Sequence, residues 1–168
     1  MPCAVITVSD TRTTADDRSG ERVVRALEKA GHAVVFRRIL PDEPRAITAH
    51  LRALARVSRA RVVVLTGGTG IARRDRTFEA VDALLEKRLD GFGELFRMLS
   101  YREIGSAAML SRAVAGTWRG RILFSLPGSP EAVALALRRL ILPELPHLAG
   151  LLAPATTRRP GGRGRRAR

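Results

Sequence analysis

Four stretches of this chain are short and rich in apolar, mainly β-branched residues, and between them apolar residues recur at helical spacing. Residues 4–8 (Ala-Val-Ile-Thr-Val) and 62–65 (Val-Val-Val-Leu) have the β-branched character of buried strands. Residues 32–40 give a third strand and residues 121–126 a fourth, with residues 112–116 read as its hairpin partner around a Trp118-Arg119-Gly120 turn. The intervening segments are amphipathic. Val23, Val24, Ala26, Leu27 and Ala30 predict a helix over residues 21–30, closed by Gly31. Pro44 opens a second helix with Ile47, Leu51, Leu54 and Val57 on one face. Residues 78–89 predict a third, with Val81, Leu84 and Leu85 inward. Gly91-Phe92-Gly93 reads as a break before a helix over residues 94–102, and residues 106–111 as a short helical piece. A long last helix carries Ala132, Val133, Ala136, Leu137, Leu140 and Ile141 on its buried face. Strands alternating with helices imply a three-layer α/β/α sandwich around a mostly parallel sheet.

Polar chemistry collects just after the strands. Ser9 and Asp10 follow the first strand, Asp42 the second, and Gly128-Ser129 the last. In open α/β sheets ligands bind at the carboxyl ends of strands. Ser9 and Asp10 read equally as functional groups or as cap and loop chemistry, and the local pattern around Asp42 favours an N-cap. The densest such stretch is Thr66-Gly67-Gly68-Thr69-Gly70, followed by Arg73, Arg74 and Asp75. Its glycines allow a sharp turn whose amides can cradle an anion. It fits neither a dinucleotide fingerprint nor a P-loop, so by itself it reads as well as a tight strand-to-helix turn.

The 168 residues fit one domain, and the 45% hydrophobic content is that of a globular core. The absence of a long apolar run or a basic leader predicts no membrane span and a cytoplasmic protein. Cys3 alone cannot form a disulfide framework, and three scattered histidines offer neither a zinc site nor a triad. Ser125 lies outside a Gly-x-Ser-x-Gly elbow. The net charge of +14 invites a nucleic-acid reading. However, Arg158, Arg159, Arg163, Arg165, Arg166 and Arg168 carry much of it, and aromatics make up 4% of the chain. The arginine bias resembles high-GC coding, and nucleic acid is not the expected partner. Residues 1–153 are taken as the domain and residues 154–168 as a disordered Arg/Gly/Pro-rich tail, read as a solvated extension rather than a clasp for an acidic partner.

Taken together, Thr7-Val8-Ser9-Asp10, Pro41-Asp42-Glu43, Leu65-Thr66-Gly67-Gly68-Thr69-Gly70 with Arg73-Arg74-Asp75, Gly91-Phe92-Gly93-Glu94, Leu110-Ser111-Arg112-Ala113 and Leu126-Pro127-Gly128-Ser129-Pro130 resemble the MogA/MoaB family of molybdenum-cofactor biosynthesis proteins. The resemblance spans residues 4–148 and leans to MoaB in length and in the C-terminal half. It implies the molybdopterin-binding fold, a homotrimer (or a hexamer in the MoaB branch), and Mg²⁺- and ATP-dependent adenylylation of molybdopterin. Under it, Asp42 and Asp75 are the catalytic, Mg²⁺-holding pair. Thr66, Gly67, Gly68, Thr69, Gly70, Arg73 and Arg74 hold nucleotide phosphates. Ser9, Asp10, Gly128 and Ser129 face molybdopterin. The product would pass to a molybdenum-insertion protein. Some MoaB proteins lack the first aspartate, so a non-catalytic pterin carrier is the alternative. Pro41-Asp42-Glu43 and Arg73-Arg74-Asp75 are both intact here, which favours activity. Phe78 stands where the family commonly has proline.

Overall fold

A computed structural model describes residues 1–152; the tail expected from residue 154 lies outside the described residues. A six-stranded sheet in the order β2-β1-β3-β6-β5-β4 forms the middle layer. β1 (Pro2–Val8), β2 (Ala33–Leu40), β3 (Val62–Thr66) and β6 (Arg121–Leu126) run parallel. β5 (Val114–Trp118) is antiparallel to β6 and to the two-residue β4 (Lys87–Arg88).

Parallel strands covered on both faces should be apolar throughout, and β3 is buried at all five positions. One side chain set, including Val5, Val62, Val64 and Phe124, meets α1 (Arg18–Lys29), α4 (Asp90–Ile104) and the C-terminal helices. The alternating set, including Ala4, Ile6, Val63 and Leu65, meets α2 (Pro44–Val57) and α3 (Thr77–Asp82). Each fully buried Leu, Ile or Phe contributes roughly 1.5–3 kcal/mol of transfer free energy. The expected three-layer sandwich is therefore what forms.

Several boundaries differ. The first helix starts three residues earlier than its apolar pattern, at Arg18, because the buried Asp17 caps it through the Gly20 amide. The helix expected over residues 78–89 stops at Asp82. Beyond it, the Glu86 and Leu89 amides bond the Thr117 and Ala115 carbonyls, so edge pairing replaces helix. Gly91-Phe92-Gly93 does not break the chain; it forms the first turn of α4, where Phe92 packs against Phe96 and Phe124. The segment expected over 106–111 is a 3₁₀ turn, Gly105–Leu110. The β5 strand is shifted two residues on, and its turn to β6 is Arg119-Gly120, both at positive φ. Val57, expected inside, is 84% exposed at the end of α2. The last helix is divided into α5 (Pro130–Ala136), a π turn (Leu137–Ile141) and α6 (Leu142–Leu151). Pro143, in the first turn of α6, has no N–H for the regular helical ladder, which accounts for a widened turn just before it.

Candidate functional site

The chain leaves β1 towards α1 on one face and leaves β3 towards α3 on the other. β1 and β3 are neighbours, so their carboxyl ends flank a topological switch point, where a crevice opens in doubly wound sheets. A cavity of about 80 Å³ sits there, lined by Val8, Ser9, Asp10, Thr11, Asp42, Gly68, Arg74 and Asp75.

Two glycines make this meeting feasible. Gly67 has φ +107°, and a Cβ on it would stand 2.2 Å from the Val8 carbonyl, so the two strand ends touch through bare backbone. Gly68 has φ +64°, and its Cβ would fall 2.1 Å from Thr77 Oγ1 and 2.4 Å from Asp42 Oδ2. The Asp42 carboxylate thus lies directly on the glycine turn. Asp42 does not cap α2; Glu43 does, accepting from the Ala46 amide at 2.7 Å. Freed from that role, Asp42 Oδ1 accepts from the Arg76 amide and the Thr77 hydroxyl, both at 3.3 Å. Asp10 supports it from beneath, Oδ1 accepting from the Asp42 amide at 2.9 Å. Asp75 is fixed in its own loop, its Oδ2 accepting from the Ala72 amide at 2.9 Å. Burial pushes the Asp42 pKa up, and the Asp75 and Asp10 charges add to the rise. A cation among these carboxylates would relieve that repulsion. The donor set, carboxylates beside open solvent, suits Mg²⁺, which binds through one or two carboxylates plus waters and phosphate oxygens. Among the described residues no group of three or more His, Cys, Asp and Glu is placed to hold a metal ion, so a cation here would rest on no more than two carboxylates, with water and phosphate oxygens completing its shell.

The other expected residues divide. Arg74 lines the cavity and Arg73 is exposed beside it. Thr66 is fully buried, and its hydroxyl donates to the Pro127 carbonyl at 2.9 Å. The Gly67 amide donates to the Leu126 carbonyl. These two therefore join the β3 and β6 turns and have spent the donors a phosphate would use; beyond them Gly68 lines the cavity, Gly70 is half-buried and Thr69 is buried. Ser9 Oγ accepts from the Thr11 and Arg12 amides and shapes the first loop. The Gly128 carbonyl accepts from Ser19 Oγ at 2.7 Å and Arg12 at 3.2 Å, and Ser129 caps α5. Gly128 is thus tied to Arg12 of the β1–α1 loop and to Ser19 at the start of α1, and neither Gly128 nor Ser129 lines the acidic cavity.

Two supporting groups were not among the expected site residues, although Arg112 lies in the Leu110-Ser111-Arg112-Ala113 piece of the resemblance. Arg112 Nε donates to the Gly70 carbonyl at 2.9 Å, one Nη to the Asp75 carbonyl at 2.9 Å, and the other pairs with Glu79 at 2.5 Å, while its guanidinium lies 5.0 Å from the Phe78 ring. It clamps both ends of the Gly70–Asp75 loop. Phe78 is the floor for that clamp, which gives the residue at this position a packing role. Asp17, buried beneath the first loop, accepts from Thr7 and pairs with Arg37 at 3.2 Å.

The fold and the site define an α/β protein with an acidic, arginine-flanked pocket beside a glycine turn at the switch point of its sheet. The chain belongs to the family described as probable molybdopterin binding domain, which matches residues 4–147. Molybdenum cofactor biosynthesis protein B of Bacillus subtilis is 51% identical over 147 residues, 87% of this chain and 86% of that protein. A crystal structure of a molybdenum cofactor biosynthesis protein B superposes with a TM-score of 0.87 at 49% identity, covering 90% of this chain and 94% of that one. The tungsten cofactor synthesizing protein MoaB from Pyrococcus furiosus superposes with a TM-score of 0.82 at 41% identity, covering 90% and 96%. The MogA/MoaB resemblance read from the motifs, including its lean towards MoaB, is what these similarities show.

Proposed function

We propose that this protein acts in molybdenum cofactor biosynthesis as a Mg²⁺- and ATP-dependent molybdopterin adenylyltransferase. The observation that carries the proposal is the convergence of Asp42 and Asp75 on a bare glycine turn, with Arg74 on the same cavity. In the proposed reaction a terminal phosphate oxygen of molybdopterin forms a bond to the α-phosphorus of ATP. The bond from that phosphorus to the bridging oxygen breaks, and pyrophosphate leaves with the electron pair. Such a transfer needs positioning and charge neutralisation rather than a protein nucleophile.

Asp42 and Asp75 would hold Mg²⁺, whose contribution when bound is to offset charge on the transferring and leaving phosphate oxygens. The Gly68-Thr69-Gly70 backbone would hold nucleotide phosphate, with Arg73 and Arg74 as cationic partners able to engage it bidentately. Asp10 orients Asp42 through its amide, and Arg112 keeps the Asp75 loop in place. Ser9, Asp10, Gly128 and Ser129 would bound the pterin side. The reading carries with it a trimeric or hexameric assembly in the cytoplasm and hand-over of adenylyl-molybdopterin to a metal-insertion protein. Among the described residues no helix is long and apolar enough to cross a membrane.

Protein supplied with molybdopterin, ATP and Mg²⁺ is expected to release one pyrophosphate per adenylyl-molybdopterin formed. Pterin binding without pyrophosphate would assign a carrier role instead.

A further inference from the structure

At the opposite end of the sheet from the acidic pocket, Arg61 immediately precedes β3 and Arg121 opens β6. Arg61 and Arg121 line a cavity of about 410 Å³ together with Arg59, Arg119 and Leu152. A strand of five residues separates this end from Gly67, about 17 Å at 3.3 Å per residue. Arg121 has its two Nη atoms on main-chain carbonyls, those of Ala55, Ser58 and Arg119. Arg61 donates one Nη to the Leu152 carbonyl. Yet the Nε–H of Arg61 and that of Arg121 are both buried with no acceptor among the described residues. Buried donors in folded proteins are nearly always paired, so two orphans on adjacent guanidiniums call for an explanation.

Charge points the same way. Among the described residues none of these four arginines has a carboxylate within 4.0 Å. Glu86 accepts from the Arg119 backbone amide at 3.0 Å and not from its guanidinium. The residues beyond 152 contain no Asp or Glu, so the rest of the chain adds no acidic side chain to this end. Burial pushes the Arg121 pKa down, and the Arg119 and Arg61 charges push it further. Arg119 lies in the β5–β6 turn at φ +48°, with its guanidinium 5.6 Å from the Trp118 ring.

We propose that this arginine cavity is a second anion site, taking a small phosphate-type oxyanion. In the proposed complex the exposed Arg59 and Arg119 side chains shift to admit the oxyanion, which then accepts from the Arg61 and Arg121 Nε–H groups that solvent does not reach in this structure. A doubly charged, multi-acceptor anion matches the guanidinium fork and offsets more of the uncompensated charge than chloride can. Because Arg61 precedes β3 and Arg121 opens β6, the strands that lead to the glycine turn and towards Gly128, occupancy would stiffen the strands that present the acidic pocket.

The test is a titration of the full-length, ¹⁵N-labelled protein with inorganic phosphate, following arginine Nε–Hε resonances by NMR, against sodium chloride at equal ionic strength. Arg61→Lys identifies its own resonance by loss, and that conservative variant keeps the charge. The expected result is saturable movement of the Arg61 and Arg121 resonances with phosphate and not with chloride. The exposed double variant Arg59→Glu/Arg119→Glu, which leaves the buried contacts in place, should weaken it at least tenfold. Equal response to chloride, movement confined to the Gly68–Gly70 amides, or unchanged affinity in the double variant would each overturn the proposal. The readout is independent of adenylyl transfer, so its failure would not count against the proposed function.

Discussion

The Asp42 carboxylate and the Thr77 hydroxyl meet at 3.3 Å across the glycine turn, 35 residues apart in the chain. A Cβ at Gly68 would overlap both. The contact ties the loop after β2 to the start of α3 with the backbone of the turn trapped between them. It turns three separate loops into one acidic wall.

Gly68→Ala should therefore be costly twice over. A residue at φ +64° bears strain of about 1 kcal/mol, and its methyl would displace Asp42 and Thr77. The expected outcome is a destabilisation of about 1–3 kcal/mol by urea unfolding and loss of nucleotide binding by calorimetry. Gly31→Ala, at φ +79° with open space around it, serves as the comparison that keeps strain and removes the clash. It should lose stability and retain binding.

Asp75→Asn separates charge from scaffold. The amide oxygen can still accept from the Ala72 amide, so the loop should keep its shape. Turnover should fall on the order of 100-fold, since stabilisation of phosphate charge is worth several kcal/mol. Pterin affinity and the unfolding midpoint should stay near wild type. A kcat close to wild type would remove Asp75 from the metal-holding pair.

Asp42 has its pKa raised by burial and by the neighbouring Asp75 and Asp10 charges. A carboxyl whose folded pKa exceeds its unfolded pKa favours the folded state in its protonated form. Its contribution is present below the unfolded value, about 3.9, and is lost as pH rises through the folded value. Asp42→Asn should then raise the melting temperature at neutral pH without Mg²⁺, and the gain should shrink towards pH 3.9 and below. Mg²⁺ should stabilise wild type more at neutral pH than at the acidic end, and should do little for the variant. Thermal melts across that range, with and without Mg²⁺, check the sign.

Arg112 joins the Gly70 and Asp75 carbonyls to Glu79. Arg112→Ala leaves those acceptors unmet and should cost about 2 kcal/mol of stability. It should also speed hydrogen exchange selectively at residues 69–76 and raise KM for ATP more than it lowers kcat. Arg112→Lys keeps charge but cannot span three acceptors, so it should recover stability only in part.

The layers were legible from apolar pattern because buried parallel strands and one-sided helices leave a periodic mark. β1 and β3 are apolar but for a threonine each, and Ile47, Leu51 and Leu54 mark the inner face of α2. What the pattern hid was pairing. Leu84 and Leu85 look helical by spacing, yet the Glu86 and Leu89 amides join β5 at the sheet edge, and no local residue announces that. Phe92 lies between two glycines that read as a break, while its packing on Phe96 and Phe124 starts a helix there. Of the candidate site, the loops were identifiable because their glycine, aspartate and arginine composition is unusual after a strand. Which oxygen or amide remains free was not, since Thr66, Gly67 and Ser9 use their donors or acceptors on the protein itself. The roles of Arg112 and Asp17 arise from contacts distant in sequence and needed the tertiary structure.

Adenylyl transfer under single-turnover conditions tests the central claim most directly. Purified protein is mixed with molybdopterin, ATP and Mg²⁺, and adenylyl-molybdopterin is measured against pyrophosphate. Stoichiometric product that disappears in both Asp42→Ala and Asp75→Ala, with pterin still bound, is the predicted result. Bound pterin with no adenylyl product in the wild-type protein, at saturating ATP and Mg²⁺, would contradict it.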